Sequence, residues 1–312
     1  MKLKRMSYIL FLAGITILMY PHVMKIFFEV QNVTEIAEYE NLMEHMTDEE
    51  IRANIEEVKA YNDYIAREPE KKVSDPFTPI ATRGEVDSAP VAAAGSSKPK
   101  KITSVGPFGY IDIPRISQKL PIYLGATDEN LNKGVAHVDR TSLPIGGVGT
   151  HSVIAGHRGF NRSIPFFKHL DQMVTGDRFY IHILGLTLTY EVIGVEIILP
   201  DEREKLNIDP EKDLVTLLTC EPYRSNTHRL LVYAMRVDEG EASGEVRKDE
   251  HGEGYSGVLS ESYTREMPVS GEVKFDNMIS YIVVGVGSVL WIAVFILFLR
   301  TFRKKFDVGA GR

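Results

Sequence analysis

The only cysteine in the 312-residue chain, Cys220, closes the segment Thr216-Leu217-Leu218-Thr219-Cys220 at the end of an apolar run. The next predicted strand opens with Asn226-Thr227-His228-Arg229, so the thiol stands one tight connection from a fixed cation. A second apolar segment, Ser152-Val153-Ile154-Ala155-Gly156, delivers His157. Thiol, imidazole and guanidinium are the parts needed for acyl transfer through a thioester: a nucleophile, a proton carrier and a holder of developing charge. With reference pKa values of about 8.5 and 6.5, the thiolate–imidazolium form is only about 1% of the neutral pair, unless the site shifts them.

His137, His151 and His228 compete with His157 for the acid/base role. His157 ranks first because Gly156 and Gly159 bracket it, leaving the backbone free to turn and the imidazole exposed. Thr219 is a weaker candidate for a hydroxyl or backbone donor near the substrate. There is no paired-cysteine or HExxH spacing, so neither a zinc site nor any other cofactor is expected. A single cysteine also excludes an internal disulfide. The formal net charge of −7 offers no electrostatic footprint for nucleic acid.

These groups need a rigid frame. Side chains alternate along a strand, so Thr216, Leu218 and Cys220 point one way and Val215, Leu217 and Thr219 the other. The loop Glu221-Pro222-Tyr223-Arg224-Ser225-Asn226-Thr227 is rich in turn formers and can return the chain so that Arg229 faces the thiol. A first strand opens at Gly109-Tyr110 and carries Ile111, Ile113 and Ile116. Further strands are expected at 120–124, 135–138, 152–155, 178–184, 188–199, 214–219 and 229–237. About eight short strands at this spacing point to an all-β barrel or sandwich, with the folded body at 102–238.

Two uncharged apolar runs, 7–24 and 277–299, match the roughly 20 residues a membrane-spanning helix needs. Lys2, Lys4 and Arg5 precede the first, while Arg300, Arg303, Lys304 and Lys305 follow the second. The positive-inside rule puts both termini (1–6 and 300–312) in the cytoplasm and the body outside. Tyr20-Pro21-His22 after the first run is unlike a small-residue cleavage site, so residues 7–28 read as a retained anchor in contact with membrane lipid.

Residues 29–69 read as a helical arm of two helices. The second starts at the capping box Thr47-Asp48-Glu49-Glu50, and Pro69 stops it. Residues 70–80, with Asp75-Pro76-Phe77, follow an irregular extended path. Residues 81–101 and 239–276 are too poor in large apolar side chains to fold alone and read as flexible tethers.

Thr216-Leu217-Leu218-Thr219-Cys220, with Arg229 and His157 at their offsets, resembles the TLxTC signature of the sortases. Thr141-Ser142-Leu143-Pro144, the run Gly149 through Gly159, and Asn226-Thr227-His228-Arg229 resemble the pilin-polymerising class C of that family in particular. The resemblance covers about 109–237 and extends to two spans and a helical arm. It implies an eight-stranded sortase β-barrel with Cys220 as nucleophile, His157 as acid/base and Arg229 as holder of substrate or oxyanion. Asp75-Pro76-Phe77 resembles that class's lid, which implies that Asp75 pairs with Arg229 and Phe77 lies against the Cys220 sulfur. The implied substrates are pilins or surface proteins with LPxTG-like sorting signals, cleaved between Thr and Gly, and the implied acyl acceptor is a pilin lysine.

Three other readings compete. A housekeeping sortase would use a cell-wall precursor as acceptor. A papain-like protease would place its nucleophile before its histidine, whereas here His157 precedes Cys220. A non-catalytic receptor or adhesin would use the β body as a binding module.

Overall fold

The structure, a computed structural model, describes residues 2–67, 73–78, 106–159, 166–223, 225–237 and 269–306. The tether at 81–101 and most of the segment at 239–276 lie outside these residues. The chain divides into two compact units, residues 1–31 with 271–312, and residues 32–270.

In the first unit the start of helix α1 (Lys2–His45) packs against the C-terminal helix Gly271–Phe306. They run antiparallel: Arg5 Nη2 donates to the Thr301 carbonyl at 2.9 Å, and Lys25 Nζ pairs with Asp276 Oδ2 at 3.2 Å. Gly287 allows the close approach, since a Cβ there would fall 2.5 Å from Met19 Sδ. Both helices are long and apolar enough to cross a membrane. Two features differ from expectation. Anchor and arm are one helix, because 44 residues extend for about 66 Å against a hydrocarbon layer of about 30 Å, and Pro21 removes only one backbone bond. The second apolar helix starts at Gly271, so the helix takes up the last six residues expected in the linker.

In the second unit, α2 (Asp48–Arg67) buries Ile55, Val58, Tyr61 and Ile65 at helical spacing. Its start is the expected capping box, in which Glu50 N donates to Thr47 Oγ1 at 3.3 Å and Thr47 N to Glu50 Oε2 at 3.2 Å. Asn62 fastens α2 to the loop before β4 by bonding both N and O of Leu143, at 2.7 and 3.1 Å.

The body is a closed barrel of β1 (Gly109–Ile113), β2 (Gln118–Leu124), β3 (Val135–His137), β4 (Thr150–Ala155), β5 (Arg178–Ile183), β6 (Leu186–Ile198), β7 (Asp213–Glu221) and β8 (His228–Arg236). The strand order is β1-β2-β3-β4-β7-β8-β6-β5, with β2–β3 and β4–β7 parallel. Closure removes sheet edges. Ile116 falls in a 3₁₀ turn, Pro114–Ile116, rather than in the first strand, and a short helix α3, Asp128–Leu131, follows β2. We number the C-terminal helix α4.

Strand β7 is buried on both sides. Val215 and Leu217 are fully enclosed. The opposite parity, through Leu218, joins Val153, Ala155, Leu231, Ile198, Leu206 and Val73 in a separate apolar cluster. Double burial explains why this strand reads as a nearly continuous apolar run, broken only by two threonines, rather than an alternating one.

Candidate active site

The β7–β8 ladder pairs Cys220 directly with Arg229, and Glu221 with His228. Strand β7 therefore runs two residues beyond the expected end at 219. Cys220 is 6% exposed and belongs to the face of Thr216 and Leu218. Parallel strands β4 and β7 hold one register from Thr150 opposite Asp213 to Ala155 opposite Leu218. The same offset, two residues on, matches His157 with Cys220.

Gly156 N extends the pairing by donating to Leu218 O at 3.0 Å. A Cβ at Gly156 would lie 2.7 Å from the Phe167 ring, so this glycine serves close packing, while Gly159 supplies a backbone φ of 92°. Phe167 N donates to His157 O at 2.9 Å. Thr219 lies on the opposite parity, fully buried, with its hydroxyl donating to Gly156 O at 2.7 Å. Its hydroxyl thereby ties the histidine segment to β7.

The segment Val73–Thr78 lies over this face. Arg229 Nε and Nη2 donate to the two oxygens of Asp75 at 2.7 and 2.6 Å, in a bidentate pair with both side chains buried. Arg229 Nη1 is committed to the carbonyls of Asn226 and His228, at 3.0 and 2.8 Å. Thr78 Oγ1 donates to Asp75 Oδ2 at 2.5 Å, closing a tight turn around Pro76. The Phe77 ring, expected against the Cys220 sulfur, sits 5.6 Å from the His157 ring, and Arg229 Cζ lies 5.5 Å from its centroid.

Burial pushes the Cys220 thiol up to about 11, Arg229 and Arg158 pull it down, and Asp75 pushes it up. Burial also lowers His157, against the pull of the Asp128 carboxylate. Both shifts favour the neutral thiol and imidazole. With the segment docked, the pair stays in its neutral, unreactive form, and every nitrogen of Arg229 is already engaged.

The competing histidines are otherwise occupied. His137 is fully buried, its Nε2 within 3.1 Å of the Thr141 and Ser142 carbonyls. His151 is held through Nδ1 to Asn207 O and Nε2 to Thr216 Oγ1, at 2.9 and 2.7 Å. His228 has Nδ1 2.9 Å from Thr227 Oγ1. Among the described residues no cluster of three or more His, Cys, Asp or Glu is arranged for a metal ion. Two residues without an assigned role from sequence, Arg158 and Glu221, form an ion pair directly beyond His157 and Cys220. Their only sequence signal is position: each immediately follows a member of the candidate pair His157 and Cys220.

A family profile described as the sortase domain matches residues 111–237. Sortase A of Bacillus anthracis is 30% identical over 156 residues, spanning 50% of this chain and 69% of that protein. A solved structure of Streptococcus agalactiae sortase C1 is similar with TM-score 0.57 and 36% identity, covering 67% of this chain and 100% of that one. Sortase C of Clostridium perfringens SM101 is similar with TM-score 0.52 and 35% identity, covering 66% and 99%.

Proposed function

As this chain belongs to the sortase family, we propose that it is a membrane-anchored class C enzyme that transfers pilin sorting signals onto a pilin lysine. The observation that carries the class assignment is the bidentate Asp75–Arg229 pair with Phe77 beside His157. Similar solved structures point the same way, one described as sortase C1 of a pilus island and another as a pilus-related sortase C.

In this reading the Cys220 thiolate attacks the Thr carbonyl of an LPxTG-like signal. Arg229 holds the oxyanion or the neighbouring substrate backbone, and the Thr–Gly C–N bond breaks as His157 gives its proton to the departing amine. A lysine amine then attacks the thioester carbonyl and His157 takes its proton. The C–S bond breaks, leaving an isopeptide and the free thiolate. Arg229 can act only after Asp75 releases it. The contacts that hold the segment include one ion pair, a cation–π contact of about 0.5–2 kcal/mol, a buried valine of about 1.5–3 kcal/mol and the Phe77 ring against His157. A substrate that takes over the same partners displaces it.

Water competes with the amine at far higher concentration, so a cover over the thioester favours transfer over hydrolysis. The basic residues flanking the two apolar helices orient the body outward, where pilins and wall precursors are found.

The test is intact-mass spectrometry of the chain with an LPxTG-like peptide, followed by addition of either a pilin domain bearing its acceptor lysine or a cell-wall precursor amine. An acyl adduct on Cys220, resolved by the pilin lysine in preference to the precursor, is expected. Preference for the precursor replaces the class C reading with the housekeeping one. No adduct on Cys220 removes acyl transfer altogether.

A further inference from the structure

The residues immediately after His157 and Cys220 are joined across the strand pair. Arg158 Nη1 pairs with Glu221 Oε2 and lies 3.5 Å from the Cys220 carbonyl oxygen. Its Nη2 pairs with Asp171 Oδ2 at 3.1 Å, on the 3₁₀ turn Leu170–Gln172. The Arg158 side chain is 8% exposed, so its charge is held inside the protein.

The β4–β7 ladder ends at Ala155 opposite Leu218, short of both catalytic side chains. Beyond that rung Gly156 N on Leu218 O and Thr219 Oγ1 on Gly156 O still tie the two strands, and Arg158 adds a tie past His157 and Cys220 themselves. A guanidinium suits the task because its planar fork bonds two carboxylates in different directions, which a lysine ammonium does with far less definition. A buried ion pair adds little net stability after desolvation, but it does restrict geometry.

We propose that Arg158 is a positioning residue that, through Glu221 and the Cys220 carbonyl, clamps the exits of β4 and β7 and holds His157 opposite Cys220, with Asp171 fixing its guanidinium plane. It also keeps a cation beside the thiol while Arg229 is engaged by Asp75. This inference rests on the acyl-transfer reading of Cys220 and His157. The charged groups acting on the thiol are Arg229 from β8, Asp75 from the covering segment and Arg158 from the end of β4. His157 is the titratable neighbour on the matched strand.

The test uses the full chain in detergent micelles, with Arg158→Gln, Arg158→Lys and Glu221→Gln. Two readouts are needed: kcat and KM for cleavage of an LPxTG-like peptide, and the pH midpoint of Cys220 alkylation by iodoacetamide. For Arg158→Gln, kcat falls by about 30- to 100-fold with KM within about threefold, as expected for a misplaced reacting pair. Its alkylation midpoint rises by about half to one pH unit, because a cation beside the thiol is gone. Arg158→Lys keeps the charge, so its midpoint stays put while kcat falls by about tenfold. Glu221→Gln also lowers kcat by about tenfold without raising the midpoint.

An Arg158→Gln enzyme with parental kcat and midpoint overturns the proposal. So does one whose thermal stability and kcat fall while the midpoint is unmoved, since that is a structural residue only. Should Arg158→Gln not fold, parental kcat in both of the other variants is equally fatal. Alkylation requires no substrate, so a parent chain that alkylates normally yet forms no acyl adduct indicts the acyl-transfer reading rather than the clamp.

Discussion

His151 and His157 occupy the same strand segment, six positions apart on one face, and both lose basicity through burial. Their ring nitrogens differ. Both nitrogens of His151 are committed, to Asn207 O and Thr216 Oγ1, under permanent structure. The His157 ring makes no hydrogen bond among the described residues and meets the Phe77 ring instead. A histidine whose two nitrogens are occupied holds strands together. One covered by a displaceable side chain keeps its lone pair and proton for chemistry. The same contrast separates Thr216, bonded to His151, from Cys220, matched to His157 at the other end of β7.

The largest effect expected on this comparison is at the thiol. Cys220→Ala should abolish peptide cleavage and the acyl adduct while thermal unfolding changes little, because only one sulfur leaves a strand end. Residual turnover in the purified variant contradicts the thioester mechanism.

Next come the two histidines, with opposite signatures. His157→Ala should lower kcat by about 10²- to 10⁴-fold with near-parental stability. His151→Ala should leave kcat within about tenfold yet lose about 1–3 kcal/mol in denaturant unfolding, since Asn207 O and the Thr216 hydroxyl are left unpaired. If kinetics rank His151 as the more damaging site, the acid/base assignment passes to it.

A smaller effect separates cover from charge. The thiolate is the reactive species and the Asp75 carboxylate pushes the thiol up, so Asp75→Asn should move the pH midpoint of alkylation downward and speed labelling at neutral pH. One pH unit corresponds to about a tenfold gain in thiolate. Phe77→Ala should raise the alkylation rate by about two- to fivefold mainly through access, with a downward shift of the midpoint smaller than that of Asp75→Asn. Midpoints that move equally in both variants, read from alkylation against pH, mean that Asp75 acts by exclusion rather than by charge.

Thr219→Val marks the lower end. Losing the bond to Gly156 O should cost about 1 kcal/mol in urea unfolding and lower kcat by a few-fold. A stability change without any change in kcat means that the tie is not needed to place His157.

Much of the barrel was readable from residue order, because turn formers and short apolar runs recur wherever strands recur. The capping box at Thr47 was legible for the same local reason. The join of anchor and arm into one helix was not. Helix α1 runs on past Pro21, which costs it only one backbone hydrogen bond. The partner of the Thr219 hydroxyl was not legible, because strand parity does not say what each side of β7 meets. Arg158 and Glu221 escaped notice because surface charges and buried clamps are written with the same letters.

Sequence by itself marked a candidate trio, since one thiol, a histidine flanked by glycines and an arginine after a turn-rich loop are the groups that thioester chemistry needs. It also determined two stretches apolar enough to form membrane-spanning helices, because hydropathy is a property of composition. The Asp75–Arg229 pair was implied by the family resemblance, but only the tertiary structure decided the other contacts: Phe77 on His157, Thr219 on Gly156, and Arg158 on Glu221. These contacts join residues far apart in the chain. Their partners are set by strand register and loop path, which depend on the packing of the whole barrel rather than on any local spacing.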